Sequence, residues 1–289
     1  MNKTTQKVYQ YLLDSYGSTS ISGQQEFSPE FYDPDEGNNY IYSLTNKLPA
    51  IRGLDFMNGD FNGVVKRAKE WWNRGGLVTI CWHTGMYGGT HAESLNDNPK
   101  FDRLIRSGTN ENKRMLENWD KAALALQELR DNDIPVLWKP FHEPDGEWFW
   151  WGKGGNYYFK KLWKMMYERF TNVFGLDNLI WVQGYTTEVK KYWYVGDKYC
   201  DVIGSDTYDP KDPYNDVGWY GLGGIKTDRL RCYHETQALP TNQDLSTKPL
   251  WSYLVVWHTD ILYDIDKNSI KEFYDNDKVI TLDKLPKFI

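Results

Sequence analysis

This sequence of 289 residues lacks the marks of several common protein classes. Its three cysteines, Cys81, Cys200 and Cys232, show no paired metal-binding spacing, and an odd number does not build a disulfide framework. There is no apolar run long enough to cross a bilayer, no G-x-S-x-G nucleophile elbow and no HExxH zinc motif. These absences argue against a membrane protein, a hydrolase of the serine-elbow type and a zincin.

Positive charge and a leader segment are also lacking. The formal net charge of −6 argues against nucleic acid or an anionic membrane as the main partner. The first 17 residues lack the apolar core and cleavage site of a signal peptide, and they read instead as an amphipathic helix. A cytoplasmic protein and an exported protein whose signal has been removed therefore both stay open.

Aromatic residues are abundant: they make up 16% of the chain, with 14 Trp and 21 Tyr. In FHEPDGEWFWWG, residues 141–152, four consecutive aromatic residues follow three carboxylates and a histidine. An indole face matches the apolar C–H face of a pyranose sugar, whereas the alternative is a Trp-rich core. The four rings cannot all face one way, so we expect Trp148 to face a sugar while the others pack the loop. We expect Gly146 to let the backbone turn away from the strand.

Short apolar runs recur along the chain and predict eight strands buried on both faces. The runs are Ser20–Gln24, Ala50–Phe56, Leu77–Trp82, Pro135–Pro140, Leu179–Gln183, Asp201–Asp206, Leu230–His234 and Trp251–Trp257. Helical periodicity lies between many of them, at Gly63–Trp72, Asn112–Arg130 and Tyr157–Phe174. The pattern predicts one α/β domain over residues 1–289, a (β/α)8 TIM barrel. Degenerate helices are expected after strands six and seven, where Asp209–Thr227 is rich in Gly and Pro and Ala238–Lys248 is short and polar.

Catalytic residues of such barrels lie at the carboxyl ends of the strands. Four of the five histidines, His83, His142, His234 and His258, fall at predicted strand ends. A ligand-binding role and a satisfied structural role are both open for His83. A metal site built from these histidines is conceivable, but no local metal motif supports it.

Two glutamates at strand ends indicate glycoside hydrolysis, which needs one carboxyl group to donate a proton and a second to attack or to activate water. Glu143 follows strand four and Glu235 follows strand seven, on opposite sides of the barrel mouth. Their rivals near strand ends or in neighbouring loops are Glu26, Glu93, Glu147 and Glu188. Asp206 and Tyr208 alternate at the end of strand six, so both are expected to face the same way, and the Tyr208 hydroxyl could hold a nucleophilic carboxylate ionised.

The stretch WKPFHEPDGEWFWWG, residues 138–152, resembles the signature of glycoside hydrolase family 26, whose best-known members are endo-β-1,4-mannanases. SGQQEF, GLDFM, TICWH, LIWV, DVIGSDTYD and WSYLVVWH match stretches of that family in the same order. Relatives commonly carry glycine two residues after the nucleophile, where this chain has Gln237, but the following LPTNQDL matches the usual loop.

The resemblance implies a retaining mechanism with Glu143 as general acid/base and Glu235 as nucleophile. It implies that Tyr208 orients the nucleophile, and it implies no metal or organic cofactor. The residues around the cleaved bond would be His83, His142, Trp148 and Trp257, while His258 would tune substrate choice and Asp206 would also contact substrate.

The substrate expected from this resemblance is a β-1,4-linked mannan, glucomannan or galactomannan, cleaved by a monomeric enzyme. Mixed-linkage β-1,3-1,4-glucan and β-1,3-xylan stay open as substrates, because the strand-four motif does not separate them. A non-catalytic carbohydrate-binding protein is a third possibility, although the presence of both glutamates weighs against it. A polymer substrate favours a secreted, periplasmic or cell-surface location.

Overall fold

Eight parallel strands close into a barrel in the computed structural model, which describes residues 1–288. In chain order they are β1 (Gly23–Gln25), β2 (Ile51–Asp55), β3 (Leu77–Cys81), β4 (Val136–Lys139), β5 (Leu179–Tyr185), β6 (Val202–Ser205), β7 (Leu230–Thr236) and β8 (Leu254–Val256). Each strand pairs with the next, and Gln24 of β1 pairs with Val256 of β8 to close the ring. The predicted (β/α)8 barrel is confirmed.

Helices surround the barrel and cover the outer faces of its strands. They are α1 (Lys3–Ser15), α2 (Glu36–Thr45), α3 (Phe61–Asn73), α4 (His91–Asn96), α5 (Phe101–Leu104), α6 (Asn110–Asp131), α7 (Gly155–Glu168), α8 (Asp216–Gly223), α9 (Asn242–Thr247), α10 (Asp260–Asp264) and α11 (Lys267–Asp275). Within residues 1–288, no helix is both long and apolar enough to cross a membrane.

The longest helix, α6, forms for the reason that its sequence predicts. Met115, Trp119, Ala122 and Leu126 recur at steps of three and four, and all four are fully buried. The hydroxyl of Thr109 accepts a hydrogen bond from the Asn112 backbone N–H at 3.2 Å and caps the first turn. The cap starts the helix at Asn110, two residues before the predicted start at Asn112.

The first predicted strand is corrected by the structure. Ser20–Ile21 leaves the barrel and pairs in parallel with Val279–Ile280, which brings the two ends of the chain together. The barrel strand itself is Gly23–Gln25, where a Cβ on Gly23 would lie 2.8 Å from the Leu254 carbonyl oxygen. The sequence predicted one strand here because both segments are buried and only one residue separates them.

The helices predicted to be degenerate, those after strands six and seven, are short, with eight and six residues. The crossovers after β6 and β7 do contain helices, the short α8 and α9. The crossover after β5 instead carries only two 3-10 turns, Lys191–Trp193 and Asp197–Tyr199. Trp193 is buried there and its ring packs against Phe159 of α7 at 5.6 Å, so aromatic packing replaces a helix over this part of the barrel.

Candidate active site

The loop after β4 leaves the barrel through an unusual backbone path. Phe141, Glu143 and Glu147 all have positive φ, at 51°, 49° and 62°. Left-handed conformations cost a non-glycine residue about 1–3 kcal/mol each, so the surrounding packing has to hold them. The Glu143 backbone N–H donates to the Gly184 carbonyl oxygen at 2.8 Å, and the indole of Trp151 donates to the His142 carbonyl oxygen at 2.8 Å. These bonds fix the direction of the Glu143 side chain.

The aromatic run divides as the sequence predicts. Phe149, Trp150 and Trp151 are buried, whereas Trp148 is 43% exposed. The Trp148 indole N–H donates to Glu143 Oε2 at 3.1 Å, so the exposed ring lies directly beside that carboxyl group.

Gly146 has a different role from the one expected, because its φ is not positive and the turn is made by its neighbours. A Cβ at position 146 would lie 2.2 Å from two carbons of the Trp148 ring. Glycine is needed there to leave room for the indole.

Glu235 lies one residue before the end of β7 and is 2% exposed. The Tyr208 hydroxyl donates to Glu235 Oε2 at 2.6 Å, and the Glu235 backbone N–H donates to Asp206 Oδ1 at 3.1 Å. Asp206 and Tyr208 therefore both turn toward the Glu235 side of the barrel mouth. A carboxylate oxygen of each of Glu143, Asp206 and Glu235 lies within 4.8 Å of those of the other two.

Sequence reasoning missed Lys139, the last residue of β4. Its ammonium lies 2.5 Å from Glu235 Oε1 and 3.4 Å from Asp206 Oδ2, and its side chain is fully buried. A signal for it was present, because a charged residue inside the apolar run Pro135–Pro140 is unusual unless it is paired. Alternation along β4 turns Leu137 and Lys139 to the opposite face from Trp138, whose ring contacts Phe170 at 6.1 Å on the helix side.

The two glutamates differ in the direction of their pKa shifts. Burial and the nearby charge of Glu235 raise the pKa of Glu143 well above its usual value. Burial alone would also raise the pKa of Glu235, but the ammonium of Lys139 and the hydrogen bonds from Lys139 and Tyr208 bring it below the usual value. The shifts favour the protonated form of Glu143 and the ionised form of Glu235, and two carboxyl groups whose pKa values are pushed apart are suited to acid–base chemistry.

His83 lies at the end of β3 and is held by Asp55 of β2. Its Nδ1 is 2.6 Å from Asp55 Oδ2, and its backbone N–H donates to Asp55 Oδ1 at 3.0 Å. The charge and hydrogen bonds of His83 keep the pKa of Asp55 below its usual value despite burial. Asp55 was also missed as a site residue. The buried Cys81 thiol nearby has a pKa raised well above its usual range, so it stays protonated.

His142 stands between the two sides of the site. Its Nε2 is 3.8 Å from Glu235 Oε1, and its ring lies 4.5 Å from the ring of His83 between centroids. Burial and the charge of neighbouring groups lower the pKa of His142 well below its usual value, so the imidazole is neutral.

Several cavities open at this end of the barrel, and two of them are lined by most of the predicted site residues. The larger, about 630 Å³, is lined by His83, Trp257 and His258 together with Phe31 and Tyr32 of the loop after β1. The other, about 400 Å³, is lined by Glu143, Trp148, Asp206, Tyr208 and the residues next to them. The predicted site residues thus lie around one continuous end of the barrel.

The rival carboxylates have other partners or face solvent. Glu26 is bound by Arg52 and Arg67, and Glu93 caps α4 through Thr90. Glu188 is exposed. Glu147, with a side chain that is 50% exposed, lies 3.6 Å from Lys190 and points away from the barrel.

His234 does not join the other strand-end histidines. It is buried inside the barrel, with Nε2 2.9 Å from the Thr79 hydroxyl. The conceivable four-histidine metal site is therefore not assembled. The three gathered carboxylates could attract a cation, but the ammonium of Lys139 already supplies a positive charge to Asp206 and Glu235.

The closed eight-stranded parallel barrel, with Glu143 and Glu235 together at the carboxyl ends of its strands, has the architecture of a glycoside hydrolase. The chain belongs to glycosyl hydrolase family 26, whose family model matches residues 1–284.

Several of the similar proteins are mannanases by name. A mannan endo-1,4-beta-mannosidase of Thermothelomyces thermophilus is 29% identical over 96% of this chain and 60% of its own length. A ruminal GH26 endo-beta-1,4-mannanase structure has a TM-score of 0.90 and 31% identity, covering 99% of this chain and 69% of that one. A beta-mannanase from a symbiotic protist of the termite Reticulitermes speratus, complexed with gluco-manno-oligosaccharide, has a TM-score of 0.84 and 30% identity, covering 98% and 94%. The chain spans 49–60% of the length of the curated relatives that it matches first.

Proposed function

We propose that this chain is a retaining endo-β-1,4-mannanase that uses Glu143 as general acid/base and Glu235 as nucleophile. The observation that carries the proposal is the separation of the two carboxyl groups, whose oxygens approach within 4.8 Å. Retaining glycosidases hold their carboxyl groups about 5–5.5 Å apart, whereas inverting enzymes need about 6.5–9.5 Å to admit a water molecule.

In the first step, a Glu235 oxygen attacks the anomeric carbon as Glu143 protonates the departing glycosidic oxygen, which takes the electron pair of the broken bond. In the second step, Glu143 accepts a proton from water, and the oxygen of that water displaces Glu235 from the anomeric carbon. Trp148 offers its exposed indole face to a sugar next to the cleaved bond. His83, Trp257 and His258 line the cavity that would receive further sugar units of the chain.

The names of the relatives favour β-mannan as the substrate. Release of reducing sugar from mannan, glucomannan, barley β-glucan and β-1,3-xylan tests this directly. Mannan and glucomannan are the expected substrates. Activity confined to barley glucan or β-1,3-xylan would replace the substrate but keep the mechanism, whereas inactivity on every polymer would favour a carbohydrate-binding protein.

The catalytic roles are tested by replacing each glutamate. Glu235→Ala should abolish hydrolysis, and added azide should restore turnover with inverted product, because azide attacks the face that the nucleophile has vacated. Glu188→Ala is the matched control, since Glu188 is an exposed carboxylate outside the site, and it should keep normal activity. Near-normal activity of Glu235→Ala would refute the assignment.

A further inference from the structure

We propose that Lys139 is a positioning residue of this reaction: its buried ammonium fixes Glu235 as an ionised nucleophile and moves its charge pairing to Asp206 when Glu235 becomes covalently bound. The inference rests on the proposed function, in which Glu235 is the nucleophile. It goes beyond that function because it assigns the state of the nucleophile to a residue on the opposite side of the barrel.

Lys139 is buried between two carboxyl groups. Its Nζ lies 2.5 Å from Glu235 Oε1 and 3.4 Å from Asp206 Oδ2. The side chains of Lys139 and Asp206 are 0% exposed, and that of Glu235 is 3% exposed. An ammonium has three donors, so it can bind both carboxylates at once. Breaking a buried pair of this kind leaves a charge without a partner, which is strongly unfavourable.

The barrel also leaves space for this side chain. Gly184 of β5 lies beside it, and a Cβ at position 184 would stand 3.2 Å from Lys139 Cδ and 3.6 Å from Asp206 Oδ2. The neighbouring strand therefore lacks a side chain where the lysine crosses the barrel toward Glu235.

Lys139 is the one permanently cationic group among the titratable neighbours of Glu235. These neighbours come from β4 and the loop after it, from the end of β6 and from β7 itself: Lys139, His142, Glu143, Asp206, Tyr208 and His234. Both histidines have a pKa lowered well below the usual value by burial, so they are neutral. The Cys81 thiol of β3 faces Lys139 as well and is protonated. Within this set, Lys139 makes the largest contribution that favours the ionised form of Glu235.

The second acceptor has a purpose in the reaction cycle. Glu235 loses its negative charge when its oxygen bonds to the anomeric carbon, which would leave the Lys139 ammonium buried without a counterion. Asp206 already lies 3.4 Å from that ammonium. Burial and the charge of Glu235 raise the pKa of Asp206 well above its usual value, so loss of the Glu235 charge in the covalent stage lowers the pKa of Asp206 and strengthens its interaction with Lys139. When water releases the sugar, Glu235 becomes a carboxylate again and regains the ammonium.

The test is the pH dependence of kcat/KM on mannan oligosaccharides, whose acidic limb reports protonation of the nucleophile in the free enzyme. Lys139→Gln and Lys139→Met remove the charge, so the pKa of Glu235 should rise and the acidic limb should move to higher pH by about one to three units. Lys139→Arg keeps the charge and should leave that limb near its original position.

Arg52→Met provides the matched control. Arg52 is another buried barrel cation, with a side chain that is 4% exposed and bound to Glu26 at 2.9 Å, but it does not contact Glu235. It should destabilise the fold to a similar degree, measured as Tm, without moving the acidic limb. If the acidic limb of the kcat/KM profile moves by the same amount in Arg52→Met and in the neutral Lys139 variants, the shift reflects a general loss of stability and the proposal is overturned.

The other outcomes are also decisive. Folded Lys139→Gln with an unmoved acidic limb refutes the role of Lys139, while loss of activity in Glu235→Ala keeps the proposed function intact. Active Glu235→Ala refutes the proposed function itself. If neither neutral variant folds, carbon-13 NMR of the unmodified chain decides: titration of Glu235 below the ordinary glutamate value of about 4.3 supports the proposal, and titration at or above it overturns it.

Discussion

The charge of Glu235 is predicted to set the proton affinity of Glu143, and Glu235→Gln removes that charge while keeping the size of the side chain. The carboxylate oxygens of the two residues approach within 4.8 Å. Two unit charges at this distance interact by about 3.5 kcal/mol at an effective dielectric constant near 20. This corresponds to about 2.5 pKa units, and since the charge centres lie farther apart than the nearest oxygens, we expect a fall of about two units.

The assay is carbon-13 NMR titration of the Glu143 carboxyl group in the unmodified chain and in Glu235→Gln. In the unmodified chain, the pKa of Glu143 should lie well above the usual value because of burial and the charge of Glu235. Glu188→Gln, which changes an exposed carboxylate away from the site, should leave that pKa unchanged. A fall of less than about half a unit in Glu235→Gln would refute the reasoning, because the Coulomb interaction would then be a minor contribution.

The same charge effect explains how one residue performs both proton transfers of the proposed mechanism. Glu143 is protonated while Glu235 is a carboxylate, so it can act as an acid in the first step. Formation of the covalent intermediate removes the charge of Glu235, which lowers the pKa of Glu143 and prepares it to act as a base toward water. The alkaline limb of kcat/KM in the unmodified enzyme should therefore report the raised pKa of Glu143.

Two further substitutions test the support of the site. Gly146→Ala places a Cβ 2.2 Å from ring carbons of Trp148, so the indole should move away from Glu143 and kcat/KM should fall about tenfold, as for loss of one hydrogen bond of about 1.4 kcal/mol; unchanged kcat/KM and unchanged tryptophan fluorescence would contradict this. Asp55→Asn removes the carboxylate that binds His83 Nδ1 at 2.6 Å, and kcat/KM should fall about 10- to 100-fold with little change in Tm; a loss confined to Tm would show that Asp55 is structural.

Much of this fold could be read from local patterns. Strands β2 to β7 lie where continuous apolar runs predict them, because a strand buried on both faces has no polar side to interrupt the run. The apolar stripe of α6 was also predicted, because a helix that buries one face repeats its apolar residues every three to four positions. The bounds of the first strand and the absence of an α-helix after β5 were not predicted correctly. Burial by distant segments and by aromatic rings produces no regular spacing of apolar residues in the local sequence.

The candidate site was predicted in part, for a physical reason. Glu143 and Glu235 could be named because a barrel places catalytic side chains at strand ends, and family resemblance selected these two among several carboxylates. Lys139 and Asp55 escaped notice because their partners are remote in sequence: Lys139 binds Glu235, 96 residues away, and Asp55 binds His83, 28 residues away. The spacing of apolar residues along the chain predicts strands and helices, but it does not predict such pairs.

Local sequence patterns predict the barrel, its family and the short stretch that contains an acid, a histidine and an indole, because strand burial and a local motif are properties of neighbouring residues. The folded chain was needed to show that the pKa values of Glu143 and Glu235 shift in opposite directions and that Lys139 pairs with Glu235. Both depend on distances between residues far apart in the chain, because charge and burial act through space across the barrel mouth.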